Sequence, residues 1–206
     1  MILPESKKRI LATAARIFAS KGYNGARIDE IAKEAKVNKA LIYYYFESKE
    51  AILKELFSTF FRESTDFLLR FAERGGFGQN VQQNKKLFEL EYEAYLASNS
   101  DLLKILVTES LKENTADAPL FRLVDLAGNG QDERLQCLKQ NESISGMGIH
   151  QTMVTEFFTG VMPLVAYIVF KDKWCKHFNI TQEQLKTFFN SAMEATHDRY
   201  HEKAKS

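Results

Sequence analysis

Apolar residues recur at a spacing of three and four along nearly the whole chain, the period that an α-helix with one buried face requires. Ile10, Ala14, Ile17 and Phe18 form one stripe, widened by Leu11 and Ala15, and Ile28, Ile31, Ala32 and Ala35 form a second. Ile52, Leu53, Leu56, Phe57, Phe60, Phe61, Phe67, Leu68 and Phe71 continue the pattern over a much longer run. No convincing strand alternation or hairpin turn is found. With only 3 Pro and 10 Gly in 206 residues to interrupt helices, the expected fold is all-α.

The ends of the helices carry their own signals. Gly22 sits where a helix C′ residue is expected. Asn38 offers an N-cap for a short helix from Lys39 to about Phe46, and Ser48 another for the long helix that follows. Arg74 to Asn84, with Gly75, Gly76 and Gly78, reads as a loop. Helices are expected over Lys85–Ala97 and Asp101–Lys112, the second capped by Asn99 or Ser100. Between the breakers Asn114–Pro119 and Gly128–Asn129–Gly130, and beyond them, Leu120, Phe121, Val124, Leu135 and Leu138 suggest short helical pieces. His150–Lys173 reads as one helix, apolar nearly all round and kinked by Pro163. Thr181 and Gln184 have capping-box spacing and start a last helix through about His201.

Charge and cysteine usage narrow the function classes. The whole chain carries +1, but residues 1–50 hold 10 Lys and Arg against 6 Asp and Glu, and the remainder 18 against 21. A mildly basic head on a slightly acidic body suits phosphate binding at one end. Cys137 and Cys175 make no zinc or redox motif and no disulfide framework, which fits reduced thiols in a cytoplasmic protein. The most apolar stretch, Val161–Phe170, falls well short of the about 20 residues of a membrane span and reads as a buried helix.

Catalytic and metal motifs are equally thin. His197 and His201 are four apart, but no third ligand is near and no H-E-x-x-H is present, so a solvated helix end is the simpler reading. Cys175 and His177 lie two apart on a helix and do not face each other. There is no phosphate loop, G-x-G-x-x-G or nucleophile elbow. No catalytic residue, metal or cofactor is expected.

The informative stretch is Ile28–Lys49, IDEIAKEAKVNKALIYYYFESK. Only Lys36–Val37–Asn38 joins two helices of about two turns, so they must cross steeply, as in a helix-turn-helix. Val37 would pin the turn to the core. The second helix turns Lys39, Ala40, Tyr43 and Tyr44 outward, while Leu41, Ile42, Tyr45 and Phe46 compete for the inner side. Successive positions lie about 100° apart, so the three tyrosines cannot all face inward; Tyr45 fits either side. A helix of this size fits the major groove of duplex DNA. Lys39 can reach a guanine edge or a phosphate, Ala40 permits close approach, and tyrosine hydroxyls donate to phosphates. Lys49 points a cation at a helix N-terminus, which a nearby phosphate would compensate and solvent would serve nearly as well. Arg27 carries the same two readings. Lys7–Lys8–Arg9 reads as a solvated helix start.

Phe18–Tyr23 (F-A-x-x-G-Y), then I-D-E-I-A-K-E-A, V-N-K-A-L-I-Y-Y-Y-F and S-K-E closely resemble the N-terminal domain of the TetR family, over roughly residues 6–55. The resemblance implies DNA contacts from Arg27, Ile28, Asn38, Lys39, Ala40, Tyr43, Tyr44 and Tyr45, and a phosphate-binding role for Lys49. Lys36 departs from the family's usual glycine in the turn, and lysine disfavours positive φ.

The expected architecture is therefore a three-helix DNA-binding domain, residues 1–48, and a larger helical effector-binding and dimerisation domain, residues 49–206. One short recognition helix reads few bases, so a homodimer on a palindromic operator is expected. The resemblance implies dimerisation through the two C-terminal helices, here offering Phe157, Val161, Val165, Leu185, Phe188, Phe189 and Ala192. The body also holds 14 of the 16 phenylalanines, and the resemblance implies a small-molecule pocket there. Phe88, Tyr92, Tyr95, Leu103, Phe121, Phe158 and Met162 are its candidate lining, while Glu91, Glu93, Glu109 and Glu156 read as solvated surface. An effector would tilt the helix after Ser48 and spoil the about 34 Å spacing of two recognition helices. A ligand-independent dimeric regulator, a helical interaction module and an enzyme are the rival readings.

Overall fold

The computed structural model describes residues 4–74, 81–112, 118–127 and 148–200, and every regular element among them is helical. Cys137, His201, Leu135 and Leu138 lie outside the described residues. The chain forms two compact units, residues 1–63 with 101–119 and residues 64–100 with 120–206.

The first unit begins with α1 (Glu5–Gly25), α2 (Ile28–Glu34) and α3 (Lys39–Tyr45). Its core is Ile10, Ala14, Ile17 and Phe18 from α1, Ile31 and Ala32 from α2, and Ile42 from α3. The first turns of α4 (Lys49–Glu73) add Ile52, Leu53 and Leu56, and α6 (Ser100–Ser110) adds Ile105. This division differs from a boundary drawn between residues 48 and 49, because three large aliphatic side chains of α4 are interior to the head.

Local chemistry explains the helix ends. Gly22 takes φ 73, and one further turn carries α1 to Gly25, where the Ala26 N–H closes on the Gly22 carbonyl at 3.3 Å. Asn38 Oδ1 accepts from the Leu41 N–H at 2.7 Å, and Ser48 Oγ accepts from the Ala51 N–H at 3.1 Å, as the sequence predicts. Lys36 adopts φ 55 despite its side chain. The Val37 N–H bonds the Ala32 carbonyl at 3.0 Å and the Lys36 N–H the Lys33 carbonyl at 3.3 Å. These are the two bonds of a Schellman turn, so the turn is regular and lysine bears the left-handed conformation.

In the second unit, α5 (Val81–Ser98) starts four residues before the expected Lys85. Val81–Asn84 contain no glycine or proline, so nothing in them stops a helix. A 3-10 turn (Pro119–Phe121) leads into α7 (Arg122–Ala127), and Leu120, Leu123, Val124 and Leu126 are buried. Then α8 (Ile149–Thr155), a π turn (Glu156–Val161) and α9 (Met162–Phe178) follow without a break. Pro163 lies in the first turn of α9, so its missing N–H falls where the helix changes register. Asn179 closes α9 at φ 52, with the Ile180 N–H on the Cys175 carbonyl at 3.1 Å. Helix α10 (Gln182–Met193) opens with the complete Thr181–Gln184 capping box and runs into a second π turn, Glu194–Asp198.

The apolar helix over residues 150–173 was expected to be buried on several sides. Within one chain it is not. Val165 and Ile168 are buried, but Val154, Phe158, Phe170, Trp174 and Phe178 are exposed. By length and composition the segment His150–Phe178, with a mean hydropathy of 1.7 over its 18-residue apolar window, is also long and apolar enough to cross a membrane. Its apolar residues exceed what the neighbouring helices α5 and α10 cover.

Candidate nucleic-acid interface

Helix α3 is held from below and open from above. Ile42 and Phe46 are buried against α1 and α2, which fixes the rotation of the helix. The opposite side then carries Lys39, Ala40, Tyr43 and Tyr44 into solvent, with Tyr44 79% exposed. Tyr44 touches Tyr45 edge-on, 5.1 Å between ring centroids, and otherwise both it and Tyr43 stand in solvent.

The other residues expected at this interface divide. Arg27 is the exposed N-cap residue of α2, with no side-chain capping bond, and Ile28 beside it is half-buried. Asn38 is exposed, but its oxygen is occupied in capping α3. Tyr45 turns inward, half-buried, and shares a 2.9 Å hydrogen bond with Ser6 of α1. Lys49 departs most from expectation. Its Nζ donates to the Tyr23 carbonyl at 2.8 Å and the Ala26 carbonyl at 3.0 Å, and lies 4.5 Å from the centroid of the Tyr23 ring. The unpaired carbonyls at the end of α1 attract the cation, so it serves the fold from inside.

The charged side chains around α2 are ordered by pairing. Glu30 binds Lys21 and Glu34 binds Arg16, both toward α1. Asp29 instead meets Lys39 Nζ of α3 at 2.8 Å. The hydrogen bond to Asp29 holds the Lys39 ammonium above the usual lysine pKa. Lys7, at the start of the Lys7–Lys8–Arg9 run, pairs with Glu55 at 2.7 Å and lies over the Phe46 ring, while Lys8 and Arg9 are exposed.

The candidate pocket residues in the second unit form two groups. Phe88, Tyr92 and Tyr95 of α5 stack with Phe67 of α4, with Phe67–Tyr95 at 5.4 Å and Phe88–Tyr92 at 5.2 Å between ring centroids. Burial pushes the Tyr92 hydroxyl pKa up, and Tyr95 shares a 3.1 Å bond with Ser64. Phe121 meets Phe157 at 5.4 Å, Phe157 meets Phe158 at 4.9 Å, and Met162 is half-buried. Leu103 is fully buried, on a helix that falls in the first unit. An open hollow of about 460 Å³ is lined by Phe67, Arg70, Glu73, Arg74 and Glu91. Glu91 pairs with Arg74 at 2.6 Å, Glu93 with Lys186 at 3.3 Å and Glu109 with Lys112 at 2.5 Å.

Of the candidate dimer residues, Phe188 and Ala192 are exposed, and Phe157, Val161, Leu185 and Phe189 are half-buried. Val165 is buried within its own chain, and Phe189 stacks on Tyr167 at 4.4 Å. Sequence reading did not extend to Trp174 and Phe178, exposed on α9 at i+4 and i+8 from the exposed Phe170; that spacing was the available signal. It also missed His197. The imidazole is not at a solvated end: it is half-buried, bonds Thr159 Oγ1 at 2.9 Å, and lies where a Cβ on Gly160 would come within 2.8 Å of its ring.

Residues 10–56 match the family described as "Bacterial regulatory proteins, tetR family". These residues thus form an N-terminal domain of the TetR type. Among similar proteins, the uncharacterized HTH-type transcriptional regulator YuxN of Bacillus subtilis is 38% identical over 73 residues, 35% of this chain and 25% of that protein. The biofilm operon icaADBC HTH-type negative transcriptional regulator IcaR of Staphylococcus epidermidis is 38% identical over 64 residues, 31% of this chain and 35% of that one. A second B. subtilis regulator, YdgC, is 36% identical over 49% of this chain and 52% of its own. The chain thus spans a quarter to about a half of the length of these curated relatives. For the whole chain the likeness is one of fold. The transcriptional regulator FadR of B. subtilis, crystallised with stearoyl-CoA, superposes with a TM-score of 0.62 at 22% identity, over 91% of this chain and 95% of that one.

Proposed function

We propose that this protein is a homodimeric, cytoplasmic transcription repressor of the TetR family that binds a palindromic operator and is released by a small-molecule effector. The observation that carries the reading is the outward face of α3. Lys39, Ala40, Tyr43 and Tyr44 are solvent-facing on a helix anchored by buried Ile42 and Phe46, and of the four only Lys39 has an ion-pair partner among the described residues, the exposed Asp29. Such a face is shaped for a groove of duplex DNA, with Lys39 and Ala40 nearest the base edges and the tyrosines within reach of phosphates. Residues 1–48 are the DNA-binding head and residues 49–206 the effector-binding and dimerisation body, with the first turns of α4 completing the head's core.

The dimer is supported by the uncovered apolar residues of the π turn Glu156–Val161, α9 and α10. Phe158, Phe170, Trp174, Phe178 and Phe188 are all exposed in one chain, and two copies joined through them would remove that surface from water. The same pairing accounts for the apolar length of His150–Phe178 without a bilayer. Ligand release is supported by the stacked aromatics of α4 and α5 and by the FadR neighbour of the same fold, which was crystallised in complex with stearoyl-CoA. An effector acts through its differential affinity for two arrangements of the dimer.

The test is selection of bound sequences from random duplex DNA, then a screen, starting with acyl-CoA thioesters, for compounds that release the enriched site. A palindromic consensus bound by a dimer with steep salt dependence is the expected result. A consensus that no small molecule releases would leave the ligand-independent regulator as the correct reading, and indifference to every duplex would refute DNA binding altogether.

A further inference from the structure

Resting on that DNA-binding reading, we propose that Asp29 is the specificity-determining partner of the recognition helix: its carboxylate holds the Lys39 ammonium for a guanine edge and keeps it off the phosphates. Helices α2 and α3 pack against each other, and Asp29 in the first turn of α2 reaches across to Lys39, the first residue of α3, at 2.8 Å. The other two acids of α2, Glu30 and Glu34, face α1 and pair with Lys21 and Arg16. Asp29 alone is turned to the recognition helix, and it is 72% exposed, on the side where the operator would lie.

The chemistry of the pair sets what Lys39 can read. An unpaired lysine is a point charge on a flexible four-carbon stem, and beside DNA it goes where the potential is most negative, to a phosphate. There it adds affinity without sequence information. Paired with Asp29, the ammonium brings no net charge, and a phosphate would have to approach a carboxylate to reach it. One of its three N–H groups is spent on Asp29. The other two remain for neutral acceptors, and guanine O6 and N7 are the pair of major-groove acceptors that lysine suits. The carboxylate also offsets the unfavourable placement of a cation at the N-terminus of α3. Asn38 cannot take over this task, because its oxygen is committed to the Leu41 N–H.

The test uses the full-length protein and the operator selected above. Affinity is measured for that site, for every single-base variant of one half-site and for unrelated duplex, across a salt series. The proteins compared are the wild type, Asp29→Asn, Lys39→Ala, the double variant and Asp29→Glu. The wild type is expected to prefer guanine at one position per half-site by at least about fivefold, the lower end of a single mismatch. In Asp29→Asn that preference should fall away, binding to unrelated duplex should tighten, and the log–log salt slope should steepen by about 0.9 per freed lysine. Asp29→Glu should keep the preference, and in the Lys39→Ala background the Asp29→Asn change should leave base preferences as they are.

An unaltered guanine preference in Asp29→Asn overturns the proposal, even where affinity rises through charge alone. A loss of preference that persists without Lys39 overturns it equally. A wild type that binds no duplex refutes the DNA-binding reading itself, whereas selective wild-type binding with an indifferent Asp29→Asn refutes only the role of Asp29. Matching thermal melts of the variants exclude misfolding, which an exposed, near-isosteric change should not cause.

Discussion

Replacing Lys49 with methionine separates a lysine that serves DNA from one that serves the fold. Methionine keeps an apolar stem of similar reach but removes the ammonium that donates to the Tyr23 and Ala26 carbonyls and lies over the Tyr23 ring. A hydrogen bond to a charged group contributes about 1.5–3 kcal/mol. The second bond adds less, since one desolvated ammonium serves both, and an exposed cation–π contact is worth about 0.5–1 kcal/mol. Lys49 is half-buried, so solvent recovers part of this, and a net loss of about 2 kcal/mol is expected. For a chain of this size that lowers the melting temperature by roughly 4–8 °C. Calorimetry of the free protein reads the stability, and a salt series on operator DNA reads the phosphate contacts. The expected outcome is a lower melting temperature with an unchanged salt slope. A variant that melts like the wild type while its slope shallows by about 0.9 would refute the internal role and return Lys49 to the phosphates.

Three further outcomes follow from the geometry. Lys36→Gly should stabilise the protein by about 0.5–1 kcal/mol, because glycine takes φ 55 freely while Lys36→Ala, still strained, should not; equal melting of the two variants would refute the strain argument. Gly160→Ala forces a methyl to within 2.8 Å of the His197 ring and should cost about 1–3 kcal/mol in denaturant titration, a loss that His197→Ala in the same chain should relieve; the same loss in both backgrounds would mean His197 is not the obstacle. Trp174→Glu should weaken the proposed dimer at least about a hundredfold, since each copy buries one exposed indole worth about 1.5–3 kcal/mol, and sedimentation velocity showing an undiminished dimer would remove α9 from the interface.

What was legible in the sequence is what depends on neighbours in the chain. The helical period of Ile10–Phe18 and Ile52–Phe71, the caps Asn38, Ser48 and Thr181, and the three-residue turn before α3 each involve residues within about four positions of one another. The outward face of α3 follows from the same period, since Ile42 and Phe46 leave Lys39, Ala40, Tyr43 and Tyr44 the other side. The tertiary structure alone decided where long side chains found partners far away in sequence. Lys49 could have served solvent, DNA or the backbone, and the free carbonyls at the end of α1, more than twenty residues earlier, took it. Tyr45 was taken inward by Ser6, Lys39 was engaged by Asp29, and His197 settled on the bare backbone of Gly160. Periodicity states which residues of a helix must be covered, but not what covers them: that choice is made by packing between distant segments, so Ile105 of α6 joined the head's core, and the apolar face of α9 stayed open.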